Sequence, residues 1–157
     1  MITDKTLHTL EFDKVLERLA AHTSFSLSKE LALALRPATE LNTVRDLQQE
    51  VQEALRLLDM RVDVSLGGAH DIRPEVSRAA LGGTLDPLQL LDVQSTLECA
   101  ERLRGALQRL DPETFPWLAA QRSQISSFRE IVGLIAQTIN GQGEVMDSAS
   151  PALAKIR

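Results

Sequence analysis

The chain has 157 residues, of which 22 are acidic and 17 basic, giving a net charge of −5. That balance excludes a wholly basic nucleic-acid platform, because phosphate binding needs clustered Lys and Arg, though a local basic patch stays open. With 43% hydrophobic residues but only four Phe, one Trp and no Tyr, a core must be filled by Leu, Ala, Val and Ile, which leans all-α.

The size suits one domain with a single core. Cys99 stands alone and cannot form an internal disulfide, the natural pattern for a reducing compartment. Asp4, Lys5, His8, Glu11 and Asp13 interrupt the opening turns, so no signal peptide is read there. No apolar run approaches the length of a transmembrane helix. A cytoplasmic protein with no membrane partner is expected.

From Thr6 to His22, Leu7, Leu10, Val15, Leu16 and Leu19 recur at mostly helical spacings, with a break expected between Glu11 and Phe12. Ser24 and Ser26 make a polar joint. Ser26 to Leu35 reads as the next helix, stopped at Arg36-Pro37 because the residue before proline avoids helical angles. Thr43-x-x-Asp46 resembles a capping box. After it, Leu47, Val51, Ala54, Leu55 and Leu58 form one apolar stripe on a helix to about Arg61, opposite Gln48, Gln49, Gln52, Glu53 and Arg56. This stripe is expected to be buried against other helices.

Two Leu-Gly-Gly triplets, at Leu66 and Leu81, bracket a short helix from about Asp71 to Ala80; each Gly pair permits positive φ. Asp86-Pro87 opens a long helix to about Leu110, with Val93, Leu97, Ala100, Leu103, Leu107 and Leu110 as its stripe. Asp111-Pro112 starts a short helix through Trp117. Ser127-x-x-Glu130 is a capping box ahead of Ile131, Val132, Leu134, Ile135 and Thr138. Ile139 to Val145, with its Asn140-Gly141 pair, predicts a small β-hairpin. Ser150-Pro151 reads as the start of a further helix. The fold class is therefore all-α, with one hairpin.

Motifs for chemistry are scarce. Neither Gly pair sits in a Gly-x4-Gly-Lys-Ser/Thr string, and Gly141-x-Gly143 lacks the third glycine of a dinucleotide fingerprint, so turns are the preferred reading. His8, His22 and His70 are too scattered for a local metal motif. His70-Asp71 is not a catalytic pair, since neighbours on a helix do not face each other; His70 reads as a loop residue and Asp71 as an N-cap. Cys99 reads as a packed small residue. Arg102, Arg104 and Arg109 could contact nucleic acid. Glu98, Glu101 and Asp111 dilute them, and interaction with the helix dipole on a solvated face is preferred. No catalytic, cofactor-binding or metal-binding residue is assigned.

TLHTLEFDKVLERLA, LGGAHDIRPEVSRAALGGTLDPLQLLDV and GEVMDSASPALAKIR together resemble the second bacterial branch of MutS proteins, MutS-II. The resemblance covers essentially the whole chain, and the Gly-Glu-Val-x-Asp-Ser-Ala-Ser-Pro string at Gly143 is its most specific part. It implies that residues 1–157 are the N-terminal part of the MutS-like helical core, ending just inside the lever helix. A clamp, a MutS-type ATPase using ATP and Mg, and usually a C-terminal Smr domain would lie outside. Members of that family are homodimers associated with DNA binding, endonuclease activity, suppression of homologous recombination and splitting of collided ribosomes. This segment would then be a mechanical base rather than an enzyme. The rival reading is a stand-alone helical adaptor that binds a protein partner.

Overall fold

The computed structural model describes residues 3–62 and 64–150. Among them run eight α-helices: α1 (Asp4–Thr9), α2 (Phe12–Ala21), α3 (Ser26–Ala34), α4 (Leu41–Asp59), α5 (Arg73–Ala80), α6 (Pro87–Leu107), α7 (Pro116–Gln124) and α8 (Arg129–Thr138). The fold is all-α. The helix read from Ser150-Pro151 onward lies outside the described residues. Although the length permits one core, the chain divides into two compact units: Met1–Val64 with Ala106–Gln124, and Ser65–Gly105 with Ile125–Arg157.

In the first unit, Thr3 caps α1 by accepting the Thr6 N–H on its hydroxyl at 3.3 Å. The expected break falls at Glu11, whose φ of 51° is left-handed and stops helical continuation. α2 buries Leu16 and Ala20 and packs on α3, which buries Ala32. Leu35 turns extended, with ψ 141°, ahead of Arg36-Pro37. α4 begins at Leu41, earlier than the Thr43 signal; the capping box is not formed, and Glu40 supplies no side-chain cap.

The expected burial of the α4 stripe is overturned. Leu47, Val51, Leu55 and Leu58 are 43%, 58%, 49% and 66% exposed, while the buried residues are Glu53 and Leu57. The reason is geometric: α4 turns the Glu53–Leu57 side toward α7, and that side lies roughly a quarter-turn or more around the helix from the stripe at 3.6 residues per turn. α7 corrects a second expectation. The Asp111-Pro112 signal makes only a turn, in which Asp111 accepts from the Glu113 and Thr114 N–H groups; the helix starts at Pro116. Leu107, Leu110, Phe115 and Leu118 supply buried apolar groups here.

In the second unit, α5 ends in a Schellman-type turn. The Gly83 N–H reaches Arg78 O at 2.9 Å and the Gly82 N–H reaches Ala79 O at 2.9 Å, with Gly82 at φ 77°. α6 ends at Leu107 rather than near Leu110, and the part of its expected stripe in this unit, Val93, Leu97, Ala100 and Leu103, is half-buried. After α8, Ile139 and Val145 form an isolated antiparallel bridge. Asn140 holds the hairpin shut: its Oδ1 accepts from the Gln142 and Glu144 N–H groups, both at 2.9 Å. The positive φ falls on Gly143, at 82°, rather than on Asn140-Gly141. A single 3₁₀ turn, Asp147–Ala149, follows.

Candidate functional site

Several charged groups of this chain are occupied in holding backbone. α7 opens with Pro116, which has no N–H, so Trp117 and Leu118 carry the first donors that need an acceptor. Glu53 supplies it from α4: Oε1 accepts from Trp117 N at 3.1 Å and Oε2 from Leu118 N at 3.0 Å. Gln49 donates to Oε1 at 3.3 Å. A carboxylate at a helix N-terminus also meets the positive end of the dipole. These bonds explain how an acidic side chain can be only 2% exposed.

In the second unit, the loop before α5 is tied down along α6. Ser95 Oγ donates to Gly68 O at 2.7 Å, and Arg102 donates to Gly67 O at 2.8 Å. The Thr96 hydroxyl accepts the His70 N–H at 2.9 Å. Cys99, 2% exposed, points its Sγ at Ser65 O, 3.8 Å away. A Cβ on Gly68 would lie 2.7 Å from Ser95 Oγ, so the loop's close approach needs glycine there. The Leu66-Gly67-Gly68 triplet is thus a docked turn, not a phosphate cradle.

Glu101 does the equivalent work at the start of α8. It accepts from Phe128 N at 3.3 Å and from Arg129 Nε at 3.1 Å. Hydrogen bonds from the Ser127 hydroxyl, Arg129 and the Phe128 N–H hold its carboxyl below the usual range. The predicted Ser127–Glu130 box is replaced by this contact, since Phe128 occupies the N-cap position without a side-chain cap of its own. Asp71 is lowered by its hydrogen bonds to Arg73, and Asp111 by the Thr114 hydroxyl and the Glu113 N–H. Asp71 accepts the Arg73 N–H at 3.2 Å, close to its expected capping role, although Ile72 holds the N-cap position.

Two of the arginines singled out in the sequence are engaged within the second unit. Arg102 holds Gly67, Arg104 faces Glu101 at 3.7 Å, and exposed Arg109 belongs to the other unit. The three histidines sit on separate elements: His8 lies in the last turn of α1, His22 follows α2, and His70 sits in the α5 loop with Nδ1 3.7 Å from Asp92. Among the described residues, no group of three or more His, Cys, Asp or Glu could hold a metal ion. No described helix is long and apolar enough to cross a membrane.

What the structure offers instead is a surface. The exposed stripe of α4 runs beside a groove lined by Arg36, Pro37, Ala38, Val44, Leu47 and Val51. Sequence reading found Leu47 and Val51 but assigned them to the core. It missed Glu53 and Glu101 as caps; Pro116 in a helix-start position was the signal for the first.

Comparison with known proteins then tests the MutS-II resemblance. Over 154 residues the chain is 43% identical to Endonuclease MutS2 of Symbiobacterium thermophilum, and over 155 residues 41% identical to that of a Geobacillus species. It is 34% identical over 157 residues to Endonuclease MutS2 of Shouchella clausii. The MutS-II resemblance is borne out along nearly the whole chain. Each of these matches takes in 98% of the chain but only 19% or 20% of the relative, so the chain spans about a fifth of the length of the MutS2 proteins it matches. No family model matches it. This segment, then, consists of helices two of which are capped by Glu53 and Glu101, with an apolar helix face left open.

Proposed function

We propose that this chain is the N-terminal helical part of a MutS2-type protein and serves as its mechanical base. On this reading the ATPase, with its ATP and Mg, the clamp and the Smr domain lie in the other four fifths of such a protein. The base would pass ATP-dependent motion to the parts that grip DNA or the ribosome. The longer homodimeric protein would cleave DNA, suppress homologous recombination and split collided ribosomes in the cytoplasm. The observation that carries the proposal is the near-complete match of the chain to a fifth of several proteins named Endonuclease MutS2. The caps made by Glu53 and Glu101 support a load-transmitting role, because they couple helices far apart in sequence through charge-assisted bonds.

Two measurements test it. The natural reading frame is expected to continue past Arg157 into a phosphate-loop motif. The 157-residue chain by itself is expected to hydrolyse neither ATP nor DNA, and metal-dependent cleavage abolished by a substitution within it would overturn this. A stand-alone adaptor is the second reading, favoured by the exposed face of α4; a reading frame that stops at Arg157 would select it.

A further inference from the structure

We infer that the Val44–Leu47–Val51–Ala54–Leu58 face of α4 is the seat of one amphipathic helix supplied by the remainder of the longer chain. The spacing along this face is 3, 4, 3, 4, the repeat of a two-helix seam in which side chains of one helix enter the gaps of another. Among these residues Val44 is half-buried and the other four are exposed, so the seam is not used within the unit that carries it. The helix is nevertheless fixed in rotation, because Glu53 and Leu57 are pinned on its other side. A face held outward and apolar over more than three turns is a docking surface whose partner is a helix.

The size of the face selects the kind of partner. Stable complexes between separate proteins use about 20–30 residues a side. Five seam residues fall well short, so two free molecules would not recover the translational and rotational cost of association through this face alone. A tethered helix meets a smaller cost, since the linker keeps it at high effective concentration. The relatives supply the tethered length: four fifths of each MutS2 protein lies outside the segment matched here. The inference rests on the reading of this chain as part of such a protein.

The test uses a thiol probe at Val51→Cys, an exposed position, with Cys99 buried as the internal slow reference. In the 157-residue chain the new thiol is expected to react with a maleimide at the rate of an open thiol. In the longer protein it should react at least tenfold more slowly. As a second measurement, Val51→Glu should leave the melting temperature of the 157-residue chain within about a degree and lower that of the longer protein by several degrees. Equal labelling in both proteins overturns the inference while leaving the MutS2 reading intact. Protection within the 157-residue chain that grows with its concentration also overturns it, in favour of a second copy. A reading frame that ends at Arg157 overturns both.

Discussion

The carboxylate of Glu53 receives the backbone N–H of Leu118 at 3.0 Å across 65 positions of sequence. Removing it strands two donors at the start of α7 and opens a void where α4 meets that helix. Glu53→Ala is expected to destabilise the chain by about 3 kcal/mol, the scale for unpairing buried groups next to a charge. Glu53→Gln keeps the shape and one acceptor oxygen, and should lose roughly half as much. Urea unfolding of the three proteins checks both figures. A loss below about 0.5 kcal/mol for the alanine variant would show that water replaces the carboxylate freely.

Two glycines should respond in opposite directions. At Gly68, with φ 87°, a Cβ would sit 2.7 Å from Ser95 Oγ and break into its bond with Gly68 O. Gly68→Ala is expected to cost about 2 kcal/mol or more. Gly133 lies inside α8 with nothing within 4 Å of a built Cβ. Gly133→Ala should raise stability by about 0.5–1 kcal/mol. Paired thermal melts decide, and a stabilising Gly68→Ala would disprove the docked-loop account.

Acid should loosen the second unit through Glu101 and Asp71. Both carboxyls titrate below their ordinary values in the folded chain, Glu101 through Ser127, Arg129 and the Phe128 N–H, Asp71 through Arg73. A depressed folded value means that the unfolded chain takes up protons first as pH falls. Their contribution is therefore fully present above the ordinary carboxylate pKa of about 4 and is lost as pH drops through the folded values. Stability measured from pH 7 to pH 2 should hold level and then decline below about pH 4. Glu101→Gln should flatten that decline, and an unchanged acid limb would remove Glu101 from the explanation.

Duplex DNA should bind the 157-residue chain weakly and without sequence preference. Arg102 and Arg104 already face Gly67 and Glu101, and the net charge is −5. Each phosphate contact adds about −0.9 to the slope of log affinity against log salt. A slope shallower than about −3 is expected, and tight binding with a steep slope at physiological salt would restore the basic-patch reading of Arg102, Arg104 and Arg109.

Local signals were legible where one residue acts on its own neighbours. Arg36-Pro37 ends α3, the Leu81-Gly82-Gly83 turn ends α5, and Asn140 closes the hairpin bridge, all by contacts within a few positions. What sequence could not reveal was which face of α4 points inward. Periodicity identifies an apolar face but not its partner, and Leu47, Val51 and Leu58 find none within their own unit. Glu53 looked like a solvated acid because its two donors lie more than sixty residues away. A separation of 27 and 28 residues hid Glu101 likewise, whose bonds to residues 128 and 129 displaced a local capping box.

The discontinuity of the first unit has a consequence for how the chain is made. Its two stretches, Met1–Val64 and Ala106–Gln124, are separated by 65–105 of the second unit. A ribosome adding about 5–20 residues per second reaches Leu118 roughly three to thirteen seconds after Glu53. Until then α4 carries a solvated acid on one side and bare leucines on the other, with no α7 to hold its rotation. The first unit therefore matures only after α5 and all of α6 have been synthesised, although most of it is translated first. A pause between Val64 and Phe115 would prolong the interval in which this helix is open to chaperones, proteases and other nascent chains.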